Sequence, residues 1–111
     1  MSLAMMVRWT PNGSKAYEYI MTCATSFYGK PLLRKLVRDI KKAESNLADN
    51  PMLGCLEPLA EGQNFEYRRL ILVKPFKLIY TIYDNVVYIA DIWDMRQCPD
   101  TLAQRLQDDK G

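Results

Sequence analysis

The stretch FEYRRLILVKPFKLIYTIYDNVVYIADIW, residues 65–93, contains three runs rich in Tyr, Ile, Val and Phe. Phe65 to Val73, Phe76 to Tyr83 and Val86 to Trp93 are separated by short breaks, the signature of adjacent strands. Asp84-Asn85 suits a two-residue hairpin turn because both residues tolerate positive φ. Lys74-Pro75 suits one less well, since proline cannot adopt positive φ, and the loop there is expected to be longer. The segment therefore predicts a three-stranded antiparallel meander.

The chain before it has a helical period. Met5 to Trp9 is a short apolar run, read as a strand added at one edge of the sheet. Thr10-Pro11 then opens a helix, with the hydroxyl as N-cap and proline at the first helical position. Ala16, Ile20, Cys23, Ala24 and Phe27 make one apolar stripe. Gly29 breaks that helix and Pro31 opens another, in which Leu33, Leu36, Val37, Ile40, Ala43 and Leu47 repeat the spacing. Asn50-Pro51 and Gly54 end it. After the meander, residues 101–111 form a short C-terminal helix or tail. The expected fold class is α+β: a strand, a two-helix hairpin, then the meander, with the helices packed on one face of a mostly antiparallel sheet.

Strand pairing assigns the faces. Tyr83 opposite Val86 places Tyr80 opposite Ile89, Leu78 opposite Asp91 and Phe76 opposite Trp93, an apolar face expected against the helices. Lys77, Ile79, Thr81 and Tyr83 take the other face with Tyr88, Ala90 and Ile92. Val73 opposite Phe76 adds Glu66, Arg68, Leu70 and Leu72 to that outer face. Arg68 and Lys77 then project from one open face, with Arg96 just past the last strand. A one-residue slip would reverse these assignments. Arg69 and Asp91 fall on the helix side, where a structural ion pair or snorkelling of Arg69 is expected. Leu70, Leu72 and Ile79 either mark a partner groove or are covered by the C-terminal tail.

The 111 residues are expected to make one domain, residues 1–111, with residues 1–4 expected to precede a natural start at Met5 or Met6. Hydrophobic residues are 49% and charged residues 25%, the balance of a soluble globular chain rather than a disordered or fibrous one. The run from Leu70 to Trp93 is interrupted by Lys74, Pro75, Lys77, Asp84 and Asp91, so it is no membrane span. The N-terminus lacks a secretory signal pattern, and a cytoplasmic protein is expected. Three cysteines without a CxxC pair predict neither a disulfide framework nor structural zinc, and no metal or cofactor is expected. The absence of histidine removes the usual base for Ser-His or Cys-His hydrolysis.

The net charge of +2 conceals an uneven distribution. Residues 28–42 carry Lys30, Arg34, Lys35, Arg38, Lys41 and Lys42 against Asp39 alone, whereas residues 84–111 are acidic. Such a row is either a solvated helix face or a surface for an anionic partner. Arg68, Lys77, Thr81, Tyr88, Asp94 and Arg96 form the candidate binding set. Cations would hold a phosphate, and Tyr88 or Tyr83 would stack on a base.

Val7-Arg8-Trp9-Thr10-Pro11, Asn50-Pro51 with Gly54, Arg68-Arg69-Leu70, Phe76-Lys77-Leu78-Ile79-Tyr80, Asp84-Asn85 and Ile92 through Pro99 together resemble the RelE/ParE superfamily of bacterial type II toxin–antitoxin modules. The likeness spans residues 5–102 and is closer to the ParE-like, plasmid-stabilisation branch. It implies two helices on one face of a sheet, a growth-inhibiting toxin, a protein antitoxin whose disordered segment folds across it, and a homodimer as one state without antitoxin. Two targets follow from the resemblance. ParE-like members poison DNA gyrase by binding, whereas RelE-like members are ribosome-dependent mRNA interferases, metal-independent endoribonucleases.

Carried across, the catalytic set of the ribonuclease branch is Arg68, Lys77 and Arg96. Leu70 replaces an expected lysine, Lys77 replaces an arginine, and Leu102 falls where the catalytic tyrosine would sit. The base would be Glu66, Asp94, Tyr88 or a lysine. The expected function is therefore a toxin that acts by binding a gyrase-type target, with the ribonuclease as alternative.

Overall fold

The computed structural model describes residues 4–23, 28–96 and 104–107, and the side chain of Cys23 is not among them. The expectations for Ala24, Phe27, Leu102 and residues 97–103 and 108–111 fall outside the described residues. At the centre lies the hairpin of Phe76–Tyr83 and Val86–Asp94. Asp84 and Asn85 turn it with φ of 51° and 62°, both left-handed, which matches the twist of the flanking strands.

Five strands make one sheet: β1 (Met6–Trp9), β2 (Cys55–Leu56), β3 (Tyr67–Ile71), β4 (Phe76–Tyr83) and β5 (Val86–Asp94). Their order is β1-β5-β4-β3-β2. β1 runs parallel to β5 at one side, and every other pairing is antiparallel. The edge position expected for β1 is observed; β2, two residues long, carries no alternating pattern in the sequence.

Two helices, α1 (Pro11–Cys23) and α2 (Lys30–Asp49), cover one face. Thr10 caps α1 as expected: its Oγ1 accepts the Gly13 N–H at 3.0 Å. Only glycine fits at position 13, because a Cβ there would lie 2.4 Å from the Ile89 carbonyl oxygen. The first turn of α1 thus rests on the backbone of β5. Gly29, at φ 83°, leads into α2, whose Leu33, Leu36, Ile40, Ala43 and Leu47 point inward. They pack with Leu72, Phe76, Leu78, Tyr80, Val87, Ile89 and Ile92 from the sheet. The six cations of α2 are all exposed. Its lone acid within residues 28–42, Asp39, accepts the Val73 N–H at 2.8 Å and ties α2 to the β3–β4 loop.

The register departs from expectation in two places. Tyr83 opposes Val86 and Tyr80 opposes Ile89, but the ladder then slips, and Ile79 opposes Asp91. The extra residue, Ala90, is a β-bulge, and it turns the rest of β5 over. Ile92 therefore faces the helices, while Asp91 and Trp93 face away with Ile79 and Lys77. In the second departure, Leu72 N–H donates to Phe76 O at 3.0 Å, leaving Val73, Lys74 and Pro75 as the loop, with a cis Lys74–Pro75 bond. Arg68 accordingly opposes Tyr80, and Arg69 opposes Ile79. This corrects the face assignments: Arg68, Leu70 and Leu72 lie on the helix side, and Arg69 lies opposite. A one-residue shift suffices because side chains alternate with period two.

Part of the second face is also covered. Ala60, from the 3₁₀ turn Pro58–Ala60, and Leu106, from a helical segment at 104–107, pack with Tyr67, Ile79, Ala90 and Trp93 in a second core. For Ile79 the covered alternative is the observed one. Asp91 does sit in a structural ion pair, but with Arg105 rather than Arg69.

Candidate functional site

Lys77 is central to the sheet and 3% exposed, so its ammonium needs a counter-charge. Glu57, 4% exposed, supplies it in a direct ion pair. The other carboxylate oxygen of Glu57 accepts the Leu59 N–H at 3.0 Å and so caps the 3₁₀ turn over the sheet.

Arg68 reaches the loop that follows α2. Its Nη1 donates to Gly54 O at 2.8 Å, and its Nη2 lies 3.5 Å from the exposed Glu66. Beside it, the Tyr80 hydroxyl accepts the Gly54 N–H and donates to Pro51 O, each at 2.8 Å. Burial raises the Tyr80 phenol above its ordinary pKa, against smaller lowering effects of the Gly54 hydrogen bond and the Arg68 charge.

Arg96 stands at the far end of β5, clamped to Asp94. Its Nη2 meets Asp94 Oδ2 at 2.8 Å, while its Nε and backbone N–H meet Oδ1 at 3.1 and 2.9 Å. The Tyr28 hydroxyl donates to Asp94 Oδ2 at 2.6 Å, and the guanidinium sits 5.7 Å from the Tyr28 ring centre. The side chain of Arg96 remains 58% exposed. Burial alone would raise the Asp94 carboxyl, but hydrogen bonds from Arg96 and Tyr28 and the Arg96 charge outweigh it and hold the pKa at about 2. Tyr28 is pushed up to about 12, first by burial and then by its hydrogen bond to Asp94 and that carboxylate's charge. The Asp94 hydrogen bond also raises Arg96.

These shifts set a pH window. Asp94 has a folded value of about 2 against an ordinary 3.8, so its contribution is present above pH 4 and is lost as pH falls towards 2. It amounts to about 2 kcal/mol, and Asp94→Asn should flatten the acid limb of the stability profile by that amount. Chemical unfolding across pH 2 to 6 checks this; parallel profiles for the two proteins would contradict it. Tyr28 acts in the opposite direction, with stability lost as pH rises from its ordinary 10 through about 12.

The candidate set therefore divides. Arg96 and Asp94 are together at one end of β5. Thr81 and Tyr88 are cross-strand partners nearer the β4–β5 turn. Thr81 is buried, with its hydroxyl donating to Glu66 O at 2.8 Å. Arg68 and Lys77 lie on opposite faces of the sheet. The three cations do not converge on one point.

Two further clefts were not evident from the sequence. Trp9, Phe65, Tyr67, Thr81, Tyr83 and Tyr88 line one of about 550 Å3 on the uncovered part of the second face. Its rings meet edge to face, Phe65 lying 5.6 Å from Tyr83 and 6.5 Å from Tyr67. An adjoining cleft of about 500 Å3 shares Asn64, Phe65 and Tyr67 and adds Glu61 and Glu66. Alternation in β3 and β4 held the signal for Tyr67 and Tyr83. Nothing periodic marked Glu57, Tyr28 or Arg105.

No protein-family model and no curated protein matches the chain. Solved structures share its fold. The chromosomal ParDE toxin–antitoxin system from P. aeruginosa is 23% identical, with a TM-score of 0.61 over 82% of this chain and 96% of that one. A YoeB dimer from Staphylococcus aureus is 21% identical, with a TM-score of 0.54 over 79% and 93%. An E. coli RelE toxin mutant in the free state is 13% identical, with a TM-score of 0.57 over 96% and 94%. The resemblance to the RelE/ParE superfamily thus holds in the fold.

Proposed function

We propose that the chain, as one domain, is the toxin of a bacterial type II toxin–antitoxin pair. It acts in the cytoplasm by binding a gyrase-type target and is neutralised by a protein antitoxin. The fold shared with ParDE, YoeB and RelE structures supports the toxin reading. The observation that carries binding over cleavage is the separate engagement of the three cations. Cleavage by a 2′-hydroxyl needs charges aimed together at the developing phosphorane, and a base to take the proton. Here Lys77 is neutralised by Glu57, Arg68 is turned to Gly54 O, and Arg96 is held by Asp94. Asp94, at about 2, is a weak base at neutral pH. The stabilisation of plasmids and a homodimer without antitoxin belong to the same reading, the latter in keeping with the YoeB dimer.

A ribosome-dependent ribonuclease is the second reading, favoured by the exposure of Arg96 beside the Tyr28 hydroxyl. Brief induction in bacteria separates the two. Primer extension on a translated reporter should show intact message while growth stops and plasmid supercoiling changes. Cuts within codons that vanish in Arg96→Ala would establish the ribonuclease instead, and unimpaired growth would remove the toxin reading altogether.

A further inference from the structure

We propose that the aromatic cleft and the acidic cleft beside it form one groove for an extended, proline-containing peptide segment that ends in a basic residue. The inference is independent of the toxin reading. Three observations carry it. First, the floor is aromatic: Phe65, Tyr67, Tyr83 and Tyr88 present rings from three neighbouring segments, a surface on which proline rings pack. A polyproline II segment is already extended, so it loses little entropy on docking.

Second, the groove offers polar groups at its wall. Among the described residues, the hydroxyls of Tyr83 and Tyr88 form no hydrogen bond within the chain. Polyproline II leaves its carbonyls unpaired along the helix, and hydroxyl donors complement them.

Third, the charge is specific. The chain is basic overall, yet the adjoining cleft carries Glu61 and Glu66 in exposed positions. Among the described residues the Glu66 carboxylate has only the 3.5 Å contact to Arg68, and Glu61 has no ion pair. Their shared wall, Asn64, Phe65 and Tyr67, joins the acids to the rings. An arginine or lysine one turn beyond the prolines would meet Glu61. A nucleotide fits less well, because its phosphate would approach two carboxylates. Arg8, on the neighbouring strand β1, is the register partner of Tyr88 but lines neither cleft.

The test is a titration of the full chain with fluorescein-labelled PPPPPPPR, followed by anisotropy. Saturable binding is expected, weakened at least about tenfold by Tyr88→Ala and in the same direction by Tyr83→Ala. Tyr83 is 59% exposed, so that variant keeps the fold even where Tyr88→Ala does not. The peptide PPPPPPPE should bind weakly to the natural chain and regain affinity for Glu61→Arg. Absence of saturation at millimolar peptide overturns the proposal, as does binding that ignores both tyrosine variants. Tighter binding of adenosine monophosphate in the same groove also overturns it, assigning the cleft to a nucleotide.

Discussion

Lys77→Met should destabilise the fold by about 3–5 kcal/mol, the cost of stranding one member of a buried ion pair. Methionine fills nearly the same volume, so the loss is electrostatic rather than a cavity. Glu57 stays buried under the 3₁₀ turn, and its Oε1 loses the ammonium it faces. Adding Glu57→Gln should return most of the loss, because glutamine keeps an oxygen for the Leu59 N–H and removes the charge. Urea unfolding of the two single variants and the double variant gives the coupling directly. A single-variant loss below about 1 kcal/mol would mean that the pair is solvated. The result bears on function as well. A lysine kept for phosphate would forfeit activity with little change in stability; this one should forfeit stability first.

The second large effect is at Arg105. Its Nη2 lies 2.5 Å from Asp91 Oδ1, and its guanidinium sits 5.0 Å above the Trp93 ring centre. Asp91 is fully buried, whereas the Arg105 side chain is about one-third exposed. Arg105→Met should therefore cost towards the lower end for a buried pair, about 3 kcal/mol, including some cation–π attraction. The damage should be local before it is global. Asn12 holds the same segment through the Arg105 carbonyl at 2.9 Å, and Leu106 closes over Ile79, Ala90 and Trp93. With the ion pair gone, the helical segment at 104–107 should open and admit water to Trp93. In a Trp9→Phe background Trp93 is the remaining tryptophan, and its emission should shift to the red at urea concentrations below the main transition. Emission that changes only with global unfolding would show that Leu106 and the Asn12 bond to the Arg105 carbonyl hold the segment without the ion pair.

Both ion pairs show where sequence reading succeeds and where it stops. The elements themselves were legible, because their signals are local. Thr10-Pro11 caps a helix, Asp84-Asn85 tolerates positive φ, and a stripe at helical spacing needs one apolar face. Asp91 was legible as an anomaly: a carboxylate among apolar strand residues implies a partner. Which partner it was could not be read, since Arg105 reaches it from a segment without periodicity. Register was the other limit. A bulge at Ala90 leaves no mark in composition, yet it exchanges the faces of Asp91, Ile92 and Trp93. The three-residue loop before Phe76 did the same for Arg68 and Arg69. An open face bearing Arg68 and Lys77 together was the consequence of that loop shift alone, because Lys77 does lie on the face away from the helices and Arg68 does not.

The parallel union of β1 with β5 has a kinetic meaning. Met6 lies beside Val86, so the ribosome must supply α1, α2, β2, β3 and β4 before β1 meets its neighbour. Until the meander forms, the apolar stripes of both helices have no sheet to settle on, and closing so long a loop between β1 and β5 carries an entropic cost that no local contact offsets. The β3–β5 meander, by contrast, can zip from its own turns. Assembly should thus run from the meander outwards, with the N-terminal strand docking last and sealing the helices against the sheet. A chain caught earlier would be a half-built sheet with an unpaired edge along β5, the kind of surface that recruits strands from its neighbours.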